Sequence, residues 1–196
     1  MALQWWAATA TEDFALGALI GPHVEAQKIN GTSGNDRLRG TRGADVIRGL
    51  AGDDRIDAED GNDRVIAGAG NDRIEGEDGN DRIIGGSGDD RIDGDDGNDT
   101  LTGGKGADTF VFDDDNQRDV ITDFKSNDFI YFDYESRDRN AVYGMDDFTI
   151  TDTAKGAVLA FDRNHIVLLR GVEAADIDAS QFLFNPEPRA ALDPVL

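Results

Sequence analysis

Nine aspartates recur at nine-residue intervals, and they are the residues of this chain best placed to do chemistry: Asp36, Asp45, Asp54, Asp63, Asp72, Asp81, Asp90, Asp99 and Asp108. Two positions before each stands a glycine: Gly34, Gly43, Gly52, Gly61, Gly70, Gly79, Gly88, Gly97 and Gly106. Two positions after each stands an apolar residue: Leu38, Ile47, Ile56, Val65, Ile74, Ile83, Ile92, Leu101 and Phe110. Carboxylates held in a column repel one another unless something cationic lies between them. Hard oxygens on glycine-rich turns suit Ca²⁺, which accepts six to eight oxygens from carboxylates and backbone carbonyls.

The element that positions each aspartate is a nine-residue unit, repeated without interruption from Gly31 to Val111. Its first six places are turn material. Glycine enters left-handed backbone without a Cβ penalty, and Asn35, Asn62, Asn71, Asn80 and Asn98 at the fifth place are expected to share that region. The last three places read as a short strand whose central apolar residue points inward and whose neighbours point outward. One apolar residue per unit cannot bury itself. Units stacked at about 4.7–4.9 Å per layer can bury it, in a narrow ladder of Ile, Val and Leu. A fixed period of this length marks a solenoid.

The units resemble the GGxGxDxUx repeats of RTX proteins, the calcium-binding parallel β-roll. The resemblance implies an all-β fold, a right-handed parallel β-roll in which two units make one turn. It places each ion between a unit and the next but one. On this chain that pairs Asp36 with Asp54, Asp45 with Asp63, Asp54 with Asp72, Asp63 with Asp81, Asp72 with Asp90, Asp81 with Asp99 and Asp90 with Asp108, giving up to seven Ca²⁺. It also implies backbone-carbonyl ligands at the first and third places. These are Gly31, Ser33, Gly40, Arg42, Gly49, Ala51, Ala58, Asp60, Ala67, Ala69, Gly76, Asp78, Gly85, Ser87, Gly94, Asp96 and Gly103. Ala58 and Ala67 replace the first glycine, and Leu50, Glu59, Glu77 and Asp95 replace the second. Carbonyl ligands are compatible with those changes.

The formal net charge is −22 over 196 residues. That excludes a phosphate-binding surface and with it a nucleic-acid partner. Such a balance ordinarily marks disorder, but here it reads as a folding switch. Seven divalent ions would bring the charge to about −8, so the repeats are expected to be largely unfolded until calcium binds. There is no cysteine, hence no disulfide and no thiolate chemistry. The first residues lack the basic and apolar regions of an N-terminal signal peptide, and no stretch reaches the ~18–20 apolar residues of a membrane-spanning helix. The resemblance implies a bacterial protein exported through a type I secretion apparatus by a C-terminal signal, and therefore secreted.

Outside the repeats, residues 1–30 read as a flap with a short helix over Thr11–Ile20. Trp5, Trp6, Phe14, Leu16 and Leu19 would cover the start of the roll or meet a partner or membrane. Residues 112–184 read as an antiparallel β cap. Strands are expected at Val120–Phe124, Phe129–Tyr134, Phe148–Thr151, Ala157–Phe161 and His165–Val172, with turns at Lys155-Gly156 and Asp162-Arg163-Asn164. GADTFVF, DVITDF, IVLLRGV and the closing FLF resemble the C-terminal region of serralysin-type proteins, which implies a cap carrying the secretion signal. Residues 185–196 read as an exposed tail. Asp119, Asp123 and Asp128 are expected to form a solvated acidic edge, with an extra calcium site as the alternative. On the outer faces, Arg37, Arg55, Arg73 and Arg91 form one column in a lattice of mixed charge, and Ile66 and Ile84 face outward one turn apart.

Catalytic machinery is not found. The two histidines, His23 and His165, are far apart. No HExxH, Walker loop, dinucleotide fingerprint or GxSxG occurs. The chain therefore reads as a non-catalytic, secreted calcium-binding protein acting in extracellular surface or matrix association, or as partner of another secreted protein. The alternatives are an accessory module binding acidic polysaccharide through the arginine column, or a targeting module related to serralysin-type proteases without the protease domain.

Overall fold

The computed structural model describes residues 25–112, 118–132, 149–160 and 166–184. The expected helix over Thr11–Ile20, the turn at Asp162-Arg163-Asn164 and the tail 185–196 lie outside them.

The strands alternate between two lengths. The short set is β2 Arg37–Arg39, β4 Arg55–Asp57, β6 Arg73–Glu75 and β8 Arg91–Asp93, and the long set is β3 Val46–Ala51, β5 Arg64–Ala69, β7 Arg82–Ser87 and β9 Thr100–Lys105. β1 Lys28–Asn30 precedes them, and β10 Thr109–Phe112, β11 Arg118–Ile121 and β12 Phe129–Phe132 follow. Then come β13 Thr149–Thr153, β14 Gly156–Ala160, β15 Ile166–Arg170 and β16 Phe182–Phe184. Successive strands feed opposite sheets, so each sheet is built from every second strand of the repeats. One has the order β1-β3-β5-β7-β9-β11-β15-β14-β13 and the other β16-β12-β10-β8-β6-β4-β2. Pairings within the repeats are parallel with an 18-residue register, such as Ile56 opposite Ile74 and Val65 opposite Ile83. The fold is thus the expected parallel β-solenoid.

The residues that follow the inward position differ between the two sets. The long strands β3, β5, β7 and β9 run on through Gly-Leu-Ala, Ala-Gly-Ala, Gly-Gly-Ser and Gly-Gly-Lys, mostly small residues that continue the pairing. After β4, β6 and β8 the chain runs through Ala-Glu-Asp, Gly-Glu-Asp and Gly-Asp-Asp. Like charges directly opposite in a sheet destabilise it, which accounts for the ends of β4, β6 and β8; β2 is as short although Gly40-Thr41-Arg42 follow it.

The core is two facing ladders. Leu38, Ile56, Ile74, Ile92, Phe110, Ile130 and Phe182 line one sheet, and Ile47, Val65, Ile83, Leu101, Ile121 and Leu169 the other, all buried. Full burial of one such side chain is worth about 1.5–3 kcal/mol.

The closing segment is mixed rather than antiparallel throughout. β11 pairs in parallel with β9 and with β15, and β12 pairs in parallel with β10 and with β16. Among the described residues only β13–β14–β15 is antiparallel, around the turn at Lys155. Ile121 and Ile130 keep the inward register of the repeats, so the coil continues where the nine-residue period has ended. Strand ends fall within a few residues of expectation, and β1 and β16 are additional strands. Among the described residues no helix is long and apolar enough to cross a membrane.

Turn stacking is close enough to forbid side chains at chosen positions. Gly79 has φ +151°, and a Cβ there would collide with the carbonyl of Gly61 one layer away. We expect Gly79→Ala to destabilise the calcium-loaded protein by about 3 kcal/mol or more, since the backbone region alone costs about 1–3 kcal/mol for a non-glycine residue. Gly34→Ala is the control: a Cβ there meets nothing nearer than Thr32 Oγ1 at 4.0 Å. Urea midpoints in calcium should separate the two, and equal midpoints would refute the stacking argument.

Candidate metal centre

The fifth and sixth places zip the turns together in opposite directions, the fifth wherever it carries Asn or Asp rather than Ala44 or Ala107. At the sixth, each aspartate N–H donates to Oδ1 of the aspartate one layer on: Asp54 to Asp72 at 2.8 Å, Asp63 to Asp81 at 2.7 Å, Asp72 to Asp90 at 2.9 Å, Asp81 to Asp99 at 2.7 Å. At the fifth, the side chain accepts from the following layer: Asn35 Oδ1 from Asp53 N at 2.9 Å, Asn62 Oδ1 from Asn80 N at 2.7 Å, Asn80 Oδ1 from Asn98 N at 3.0 Å. Asn35, Asn62, Asn71 and Asn80 therefore serve as ladder acceptors. None of the five fifth-place asparagines takes the left-handed backbone expected of it; among the described residues the non-glycine ones that do are Leu50, Glu59, Glu77 and Asp95 at the second place, with φ between 55° and 84°.

The aspartate ladder commits Oδ1 and leaves Oδ2. In Asp54, Asp63, Asp72, Asp81, Asp90, Asp99 and Asp108, Oδ2 is buried and has no hydrogen-bond partner among the described residues. In Asp54, Asp81 and Asp90 it faces the first-place glycine of its own unit, where a first-place carbonyl from the next layer also points. A Cβ added to Gly76 would lie 2.6 Å from both Asp81 Oδ2 and the Gly94 carbonyl. The same collision would occur at Gly49 with Asp54 and the Ala67 carbonyl, and at Gly85 with Asp90 and the Gly103 carbonyl. Two oxygens thus converge where glycine leaves room. Buried carboxylate oxygens facing carbonyl oxygens are unfavourable by themselves and suit a hard cation.

Burial sets the electrostatics. Desolvation, opposed by the ladder N–H and reinforced by the neighbouring carboxylate, pushes Asp63 and Asp72 up to about 6, Asp81 and Asp90 to about 7 and Asp99 to about 8. Asp54 and Asp108 rise for the same first cause.

The sequence-predicted ligands separate into groups. First-place carbonyls of Gly49, Ala58, Ala67, Gly94 and Gly103 face carboxylates. Third-place carbonyls of Ala69, Asp78, Ser87 and Asp96 instead accept the N–H of Gly52, Gly61, Gly70 and Gly79 at 2.7–2.8 Å. The first-place Ala58 and Ala67 are fully buried, so their methyls occupy positions that are open in other units. Among the described residues no three acidic or imidazole side chains converge on one point, so carbonyls must complete any coordination sphere.

Two aspartates beyond the repeats join the columns. Asp119 Oδ1 accepts from Asp99 N at 2.8 Å and Asp128 Oδ1 from Asp108 N at 3.2 Å, both across 20 residues. They are 3% and 0% exposed, which corrects the reading of a solvated edge. The available signal was the persistence of Asp-Val-Ile and Asp-Phe-Ile, the sixth to eighth places of the unit without its glycine. Asp123 does lie at the rim, where Oδ1 and Oδ2 accept from Gly103 N and Gly104 N at 2.9 and 3.0 Å. Lys125 Nζ and Asn127 Nδ2 donate to the carbonyls of Gly104 and Gly106, ending that turn stack.

Arg55, Arg73 and Arg91 of the outer arginine column are engaged within the lattice, as is Arg39 at the neighbouring ninth place. Arg73 donates Nε and Nη2 to Glu75 Oε1 at 3.1 and 3.0 Å, Arg55 lies 3.7 Å from the same oxygen, Arg39 contacts Glu59, and Arg91 stacks over the Tyr131 ring at 5.1 Å. Glu75 thus answers the charge of Arg55 and Arg73.

The family model described as RTX calcium-binding nonapeptide repeat (4 copies) matches residues 30–65, 57–92 and 84–116. The extracellular lipase LipA from Serratia marcescens is similar in structure, with 19% identity, a TM-score of 0.41 and coverage of 87% of this chain. The chain spans 42% of that lipase's length. The AlgE6R3 subunit from the Azotobacter vinelandii mannuronan C5-epimerase is also similar, with 23% identity, a TM-score of 0.35 and coverage of 88% of this chain and 85% of its own. No curated protein matches the sequence.

Proposed function

From the premise that residues 30–116 belong to the RTX calcium-binding nonapeptide repeats, we propose that this chain is a secreted, non-catalytic β-roll whose stacked aspartates take up Ca²⁺ and which folds as they do so. The carrying observation is the run of buried, unpartnered Oδ2 atoms from Asp54 to Asp108. Bound calcium supplies positive charge that offsets carboxylate repulsion and desolvation. The residues that would hold it are Asp54, Asp63, Asp72, Asp81, Asp90, Asp99 and Asp108, joined at Asp54, Asp81 and Asp90 by the first-place carbonyl of the following layer. Asp N–H groups orient each carboxylate, and the second-place residues in left-handed backbone turn their peptides. Export through a type I apparatus by a signal near the C-terminus fits this chemistry, since a calcium-poor cytosol keeps the chain unfolded and calcium outside folds it. A structural role at the cell surface or in the matrix follows, with the repeat carboxylates engaged in the stack.

Mass spectrometry of the intact folded chain in millimolar calcium should count several bound ions, about one per unpartnered aspartate, and Asp81→Asn should lower the count. A folded chain carrying no calcium would overturn this reading.

A further inference from the structure

Resting on that calcium reading, we propose that the first two units are closed by threonine instead of by calcium, so that the column of ions starts at Asp54. The nine repeat aspartates fall into two classes. From Asp54 onward Oδ2 has no partner among the described residues. In Asp36, Oδ2 accepts from Thr32 N at 2.5 Å and Thr32 Oγ1 at 2.9 Å. In Asp45 it accepts from Thr41 N at 2.6 Å and Thr41 Oγ1 at 3.0 Å. Each hydroxyl also accepts from the fourth-place glycine of its unit, Gly34 N at 3.2 Å and Gly43 N at 3.1 Å. Solvent does not explain the contrast, because Asp45 is 1% exposed, as buried as the aspartates that follow.

The cause is the residue at the second place. From the third unit to the ninth it is Leu50, Glu59, Gly68, Glu77, Gly86, Asp95 and Gly104, and all have positive φ. Only the first two units place threonine there. A β-branched residue is a genuine outlier at positive φ, so Thr32 and Thr41 hold the ordinary backbone and keep their N–H turned toward the carboxylate. The cradles are otherwise alike: a Cβ on Gly31 would lie 2.7 Å from Asp36 Oδ2 and 2.6 Å from the Gly49 carbonyl. Two N–H or O–H donors therefore do for Asp36 and Asp45 what a cation does for the later carboxylates. This differs from the pairing implied by resemblance, in which Asp36 and Asp45 each share an ion with the next layer.

The test counts bound calcium by mass spectrometry on the full-length protein. Asp36→Asn/Asp45→Asn should keep the wild-type count, whereas Asp54→Asn/Asp63→Asn should lose at least one ion. Thr32→Gly/Thr41→Gly, which frees the second place for positive φ, should gain up to two ions, and Thr32→Ser/Thr41→Ser should match wild type. A loss of ions in Asp36→Asn/Asp45→Asn, or a folded glycine variant with the wild-type count, overturns the proposal. Should the glycine variant not fold, the asparagine pairs still decide. A wild-type chain that binds no calcium would instead sink the reading on which this rests.

Discussion

Stripped of calcium at neutral pH, the chain should lose its β-solenoid and expand, and restoring calcium should reverse both changes. Two physical terms set the size of this effect. The core offers one inward apolar residue per nine, worth about 3 kcal/mol at best, while ordering the backbone costs about 1–2 kcal/mol for each residue. Hydrogen-bond ladders narrow that gap, but the seven buried Oδ2 atoms of the repeat aspartates Asp54 to Asp108, without hydrogen-bond partners among the described residues, widen it again, at roughly 1–3 kcal/mol for each unsatisfied group and more when charged. Ion binding is then folding free energy, about 2.7 kcal/mol per site at a hundredfold excess over the dissociation constant. Far-ultraviolet circular dichroism and hydrodynamic radius, with and without chelator, read the outcome. A compact β form persisting in excess chelator would show that the roll stands without metal.

In chelator, acidification should partly substitute for calcium. Asp63 and Asp72 are raised to about 6, Asp81 and Asp90 to about 7 and Asp99 to about 8, each by desolvation first. A carboxyl whose folded value lies above its unfolded value binds protons more tightly when folded. Its contribution to stability is fully present below the unfolded value and is lost as pH rises through the folded one. The metal-free protein should therefore gain structure as pH falls from 8 toward 5, and calcium uptake should release protons near pH 7. Chelator titrations followed by circular dichroism, with proton release measured on adding calcium, test both. Metal-free structure that grows with rising pH would contradict the burial of these groups.

Much of this molecule is written in its local pattern. Inward Ile56, Ile74 and Ile92 and the columns of Asp54, Asp72 and Asp90 follow from a period of nine, because alternation along a strand and stacking of like units leave no other arrangement. The calcium chemistry follows too, since hard anions in a column demand a hard cation. What the period does not contain is the partner one layer away. Asn35 and Asn62 looked like residues chosen for backbone freedom, yet they are acceptors whose donors lie 18 residues on. Asp119 and Asp128 read as part of a solvated acidic edge with Asp123, yet β11 and β12 carry them into the columns.

The sequence alone determined the solenoid, its inward ladder and its need for divalent charge, all consequences of repetition at short range. Tertiary structure decided which oxygens have donors and which do not, and where the coil passes beyond its own period. Thr32 and Thr41 are two letters in otherwise regular units. Their effect on Asp36 and Asp45 emerges only when φ, burial and hydrogen bonds are fixed together, because a carboxylate's satisfaction depends on atoms brought near by folding rather than on the spacing that repeats it.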